Sequence, residues 1–193
     1  PFMYFNSCAG DVSTRYTRAG RSPDEIERLS CLFVSSMVET GRKRIIPSGT
    51  SYSEYSFEMP VKSPDEKPPF PTRPEALPGY KLALKRPESK GLEKYRSARL
   101  GMLELGEIAM LFLPFELFLD TGEILKRIAK KRFEIPLIVC YALGYLPYVV
   151  PAGMEGSYEW YASPYEERAE SHLVSEVESF LLGRRLKDGQ ELY

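Results

Sequence analysis

Ser13 ends the stretch Gly10-Asp11-Val12-Ser13, a glycine and an acid leading to a hydroxyl. Gly10 permits a tight turn, and a serine displayed there, past an opening strand, stands where layered α/β folds place their sites. As a nucleophile it needs a base or a metal ion to take its proton. Without one the same loop is turn chemistry, with Asp11 satisfying backbone donors. Glu116 closes a second loop, LPFE (113–116), after the most apolar stretch of the chain. A carboxylate at a strand end suits a metal ligand or a general base. A glutamate at the start of a helix expected from 117 is also favourable with no function at all. A third loop, GSYEWYASPYEE (156–167), holds four aromatics and three acids, a density that fits a cleft lining or an interface, with packing over a sheet edge as the alternative. Tyr158 and Glu159 in it are candidate metal donors.

His172 is the sole histidine. It falls in a helical pattern beside the apolar stripe and reads as a partly exposed helical residue. Nothing ties it to Ser13 as a triad, and one imidazole cannot build a histidine zinc site. The three cysteines, Cys8, Cys31 and Cys140, show no CxxC spacing, so neither a disulfide framework nor a zinc knuckle is indicated. A net charge of −1 gives no electrostatic case for nucleic acid or an anionic membrane. The basic runs GRKRI (41–45) and ILKRIAKKRF (124–133) read as a solvated loop and a helix end. No apolar run approaches the ~20 residues of a bilayer span, because Pro114 and Glu116 interrupt the longest one. Cellular location is not encoded in any segment of the chain.

The elements that must carry these loops follow from periodicity. FMYFN (2–6) reads as a strand entering the GDVS loop. Residues 22–41 read as a helix, with Ser22 as cap, Glu25 completing a capping box, Gly41 as terminator, and Ile26, Leu29, Phe33 and Met37 as a buried stripe. An edge strand is expected over 52–61, ended by Pro60. The Pro-rich loop 64–80 excludes a helix or inner strand, and 88–100 reads as helical. Two strands should turn about Leu105-Gly106, the second central in a sheet. A helix over 117–132, a buried strand over 134–143 and an irregular stretch over 144–160 follow. The final helix, 165–185, points Ala169, Leu173, Val177, Phe180 and Leu181 inward. The class expected is α/β, a layered mixed sheet flanked by helices, within one domain over 1–193 that belongs to a larger one.

Taken in order, the three loops resemble the catalytic domain of the neutral (non-lysosomal) ceramidase family. Its GDVSPN loop, with the proposed serine nucleophile, is GDVSTR here, placing Ser13 at that position. Its PGE motif, which gives a glutamate to zinc, is PFE here, placing Glu116. Its later GYxxY…YE segment, which gives a tyrosine to zinc, is matched in shape by ALGYLPYVVPAGMEGSYEW, with Tyr158 taken as that tyrosine. The departures are Thr14 and Arg15 for Pro and Asn, and Phe115 for Gly, a bulky group expected beside the metal path.

The resemblance implies a zinc-dependent hydrolase of an N-acyl amide, ceramide or a similar lipid. Zinc would be held by Glu116, Tyr158 and two histidines from an earlier half of the domain, so the chain is expected to be the C-terminal half of a longer protein. In that scheme Ser13 attacks, Asp11 shapes the loop, and Tyr161 and Tyr165 stabilise the oxyanion. The rival readings are a non-catalytic relative that binds a ligand or partner, and a structural α/β domain that merely shares strand-end loops.

Overall fold

The hairpin about Gly106 is the seed of the sheet. In this computed structural model, residues 3–13, 17–39, 48–63, 66–85 and 92–183 are described. Strands β2 (Ser97–Leu105) and β3 (Ile108–Phe112) pair antiparallel around the turn, where Gly106 takes a left-handed φ of 62° that glycine adopts without steric cost. Strand β1 (Thr50–Glu58) adds antiparallel to β2 and forms the sheet edge, as its alternation required. Strand β5 (Ile135–Val139) adds parallel to β3, giving a mixed sheet in the order β1-β2-β3-β5.

Three residues after β3 begins a short strand, β4 (Phe115–Leu117), which pairs parallel with β6 (Leu146–Val149) in a second sheet. Helix α3 (Leu119–Ala129) is therefore the crossover for both parallel pairs. The two pairs are joined by intermediate bonds, from Leu113 N–H to the Val139 carbonyl, Ala142 N–H to Leu113, and Leu146 N–H to Pro114. Only Leu113 and Pro114 stand opposite the whole of 140–145, so that stretch bulges out of the ladder, with Tyr141 and Leu143 at φ of 57° and 60°. Left-handed backbone at a non-glycine residue is strained and persists only where the surroundings hold it.

Helices α3 and α5 (Ala169–Leu181) cover one face of the sheet. The inward residues read for α5 are all buried, Leu173 and Val177 completely. Tyr55 stacks on Phe180 at 5.8 Å, and its hydroxyl donates to the buried Glu176 carboxylate. The opposite face carries the in-register row Tyr52, Leu103, Met110 and Leu137, of which Tyr52 and Leu137 are 40% and 41% exposed.

Several expectations are corrected. Residues 3–6 form no strand, because β5 ends at Val139 and the segment meets the sheet through Cys140 N–H donating to the Asn6 carbonyl. Helix α1 (Pro23–Glu39) forms as read, but its stripe is not buried: Ile26, Phe33 and Met37 are exposed and Leu29 half-buried. Periodicity marks the apolar face, not what covers it. Glu25 accepts from Ala19 N–H and Arg28, a turn upstream of the expected box.

Helix α2 (Leu77–Leu84) begins inside the Pro-rich stretch, because Pro78 stands in its first turn, where its missing N–H is no loss. The helix expected over 88–100 gives way to a 3-10 turn, Glu93–Tyr95, and strand β2, with Ala98 and Leu100 buried. The irregular 144–160 contains β6 and the start of helix α4 (Tyr158–Ala162). Thr14, Arg15, Gly41, the GRKRI run and residues 88–91 lie outside the described residues.

Candidate functional site

Strand alternation decides what LPFE presents. Phe115 and Leu117 are fully buried, while Glu116 between them faces the other way. This corrects two expectations. Glu116 belongs to β4, not to a helix start, and Phe115 lies away from it, in the core against Phe57 and Tyr165.

The GDVS loop is docked on the same strand. Gly10 N–H donates to the Leu117 carbonyl at 2.7 Å, so close that a Cβ at Gly10 would stand 2.9 Å from that oxygen. A contact of that kind excludes any other residue. Asp11 accepts the N–H of Leu119, the first residue of α3, at 3.0 Å. Ser13 is exposed at the outer end of this loop. The serine loop and the glutamate thus share one strand end.

The bulge supplies the third part. Tyr145, which ends it, donates its hydroxyl to Glu116 Oε1, and Tyr148 on β6 stands in register with Glu116. Burial, then the Glu116 carboxylate, pushes both phenols well above the ordinary tyrosine range, so both keep their protons. Tyr141 is pushed up to about 12, by burial first and the Glu116 charge second. Tyr158 is one ring further off, edge-on to Tyr148 at 6.3 Å. Its helix, capped by Ser157, packs so tightly on α2 that a Cβ at Gly79 would lie 2.5 Å from the Tyr158 carbonyl. Glu116, Tyr145, Tyr148 and Tyr158 line one cavity of about 400 Å³, together with Leu82 and Lys85.

Tyr161 and Tyr165 are not part of this group. Tyr161 is buried and donates to the Pro69 carbonyl, beside a different cavity with Lys62 and Trp160. Tyr165 is a core residue, edge-on to Phe115, whose hydroxyl has no hydrogen-bond partner among the described residues. His172 is half-buried on α5, with Nε2 2.8 Å from the Glu58 carbonyl. Glu159 shares α4 with Tyr158. Tyr145 and Tyr148 are the residues that sequence reasoning passed over. Their signal was the GYLPY spacing, in which Tyr145 precedes a strand too short to read.

A carboxylate with converging phenols offers oxygen donors, whereas zinc is ordinarily held by four nitrogen, sulfur or carboxylate ligands. No group of three His, Cys, Asp or Glu that could hold a metal ion occurs among the described residues. These residues therefore do not make a complete zinc site. No helix among them is long and apolar enough to cross a membrane.

No family model matches the chain, and no curated protein matches it. Among solved structures, neutral ceramidase from Pseudomonas aeruginosa is similar over 90% of this chain, with a TM-score of 0.60 and 14% identity. A structure described as ceramidase complexed with C2 matches 46% of this chain and 15% of its own length, at 18% identity and a TM-score of 0.42. The chain spans about a third of the Pseudomonas protein, 35% of its length. The chain thus has a ceramidase-like fold, a mixed sheet flanked by helices.

Proposed function

We propose that this chain carries the serine and glutamate parts of a ceramidase-like amide hydrolase that cleaves an N-acyl amide, ceramide or a lipid of similar chemistry. One observation carries the reading. Three segments far apart in sequence, GDVS, PFE and GYLPY, meet at one strand end through Gly10 on Leu117 and Tyr145 on Glu116.

In this reading Ser13 attacks the amide carbonyl, and Asp11 holds the loop rather than taking part in the chemistry. Tyr145 and Tyr148, kept protonated by burial and by Glu116, line the cavity, and the one hydroxyl proton of Tyr145 is given to Glu116. Tyr148 therefore suits the oxyanion role better than Tyr161, whose hydroxyl proton goes to the Pro69 carbonyl beside a different cavity. Zinc, held by Glu116 and Tyr158 together with imidazoles from outside this chain, would polarise the carbonyl when bound.

Those imidazoles imply a further half of the domain, the N-terminal one in the family's arrangement. The exposed stripe of α1 and the row Tyr52, Leu103, Met110 and Leu137 are the surfaces such a half would cover. A patch of this kind is unusual on a free-standing domain.

The test is hydrolysis of a series of N-acyl amides by the protein, with and without chelator and added zinc. Ser13→Ala and Glu116→Gln should each reduce turnover by about 100-fold or more. Turnover that persists through both chelation and Ser13→Ala would sink the reading. Metal analysis separates it from a binding module, which would carry no zinc when purified in excess metal.

A further inference from the structure

Cys8 and Cys140 lie far apart in the sequence yet their sulfurs are 3.6 Å from each other, with both side chains buried. The pairing is built by the fold. Cys140 N–H donates to the Asn6 carbonyl, which sets the two backbones side by side. Gly122 on α3 leaves the room, since a Cβ there would stand 2.5 Å from the Cys8 sulfur. Cys8 comes two residues before Gly10, the anchor of the serine loop, and Cys140 opens the bulge that ends at Tyr145.

We propose that Cys8 and Cys140 form a reversible disulfide that staples the Ser13 loop to the Tyr145 bulge. The bond itself does not depend on the hydrolase reading. Closing sulfurs already in contact needs a side-chain rotation rather than a shift of the sheet. Cys8, which follows the segment without regular secondary structure, is the attacking sulfur. Residues 3–7 have no regular secondary structure, and Met3 and Tyr4 are exposed. Cys8 is therefore reached when this one segment opens, without unfolding the sheet.

With a low-molecular-weight disulfide such as glutathione disulfide, the Cys8 thiolate attacks one sulfur and releases one glutathione thiolate. The Cys140 thiolate then attacks Cys8 and releases the second. The two cysteine protons end on the two glutathione thiols, so two protein thiols are oxidised and one external disulfide is reduced.

The exposed Cys31 is replaced (Cys31→Ser) to prevent links between chains. The whole protein is then incubated with glutathione disulfide, alkylated, unfolded, alkylated again and digested without reduction. The expected product is a single species joining the Cys8 and Cys140 peptides, lighter by two hydrogens. Its melting temperature should rise by roughly 5–15 °C, and dithiothreitol should reverse the rise. Amide exchange over residues 9–13 should slow by roughly tenfold or more.

Two free thiols after unfolding, or a lasting glutathione adduct on Cys8 alone, would overturn the bond. Unchanged exchange over 9–13 would overturn the stapling. A rise on oxidation that survives in Cys8→Ala or Cys140→Ala would also overturn the assignment. Should those variants fail to fold, the peptide map of the Cys31→Ser protein decides. A cross-linked protein without amidase activity would leave this inference standing and remove the hydrolase reading instead.

Discussion

Asp11 accepts the backbone N–H of Leu119 at 3.0 Å, which fastens the loop bearing Ser13 to the first residue of α3. The acceptor is a side chain from more than a hundred residues away doing what a local cap does elsewhere. Asp11→Ala should cost about 1 kcal/mol in a urea melt. Asp11→Asn, which keeps a carbonyl oxygen in place, should recover most of it. Equal losses in the two variants would remove the capping role.

Phe115 is fully buried between Phe57 and Tyr165. Phe115→Ala should lower stability by about 3–5 kcal/mol, measured by chemical denaturation. A loss confined to substrate affinity, with stability intact, would place the ring in the cavity after all.

Tyr165 leaves a buried hydroxyl with no partner among the described residues. Tyr165→Phe removes the desolvated oxygen and keeps the ring against Phe115, so stability should hold or rise by about 1 kcal/mol. A large fall in amide turnover with unchanged stability would instead return Tyr165 to the oxyanion role.

The phenols around Glu116 set an alkaline dependence. Burial and the carboxylate raise Tyr145 and Tyr148, and Tyr141 reaches about 12, against an ordinary value of about 10. A folded-state pKa above the unfolded one favours the neutral phenol in the fold. That contribution is complete below about pH 10 and is lost as pH rises through the folded values. Glu116→Gln removes the charge but not the burial. Phenolate absorbance should therefore appear earlier in this variant, most of all from Tyr145 and Tyr148. Superimposable titrations would separate these tyrosines from Glu116.

Much of the scaffold could be read from pattern alone. The Gly106 hairpin, the edge strand β1 and the stripe of α5 each repeat their period long enough to be unambiguous. Helix α2 escaped because a proline count was taken without position, and Pro78 stands in the one turn that tolerates it. Strand β6 escaped because LPYV is four residues with a proline inside. The exposure of Ile26 and Phe33 on α1 could not be read, since a period gives a face and not its neighbour. At the site, Ser13 and Glu116 were singled out as strand-end residues, although Ser13 follows a segment with no strand and Glu116 lies inside β4. Tyr145 was not, because its contact depends on a bulge opposite Leu113 and Pro114 that no local pattern encodes.

Both parallel pairs rely on α3, so Glu116 on β4 and Tyr145 before β6 are joined only after the intervening helix and β5 have closed a loop of 29 residues. The β2–β3 hairpin closes at once across Gly106, and non-local closure is the slower event. A chain emerging from synthesis thus has its hairpin well before its cavity. Until Tyr145 arrives, the Glu116 carboxylate waits on a strand whose partner has yet to be made, and assembly of the cavity is a late report that the whole crossover has formed.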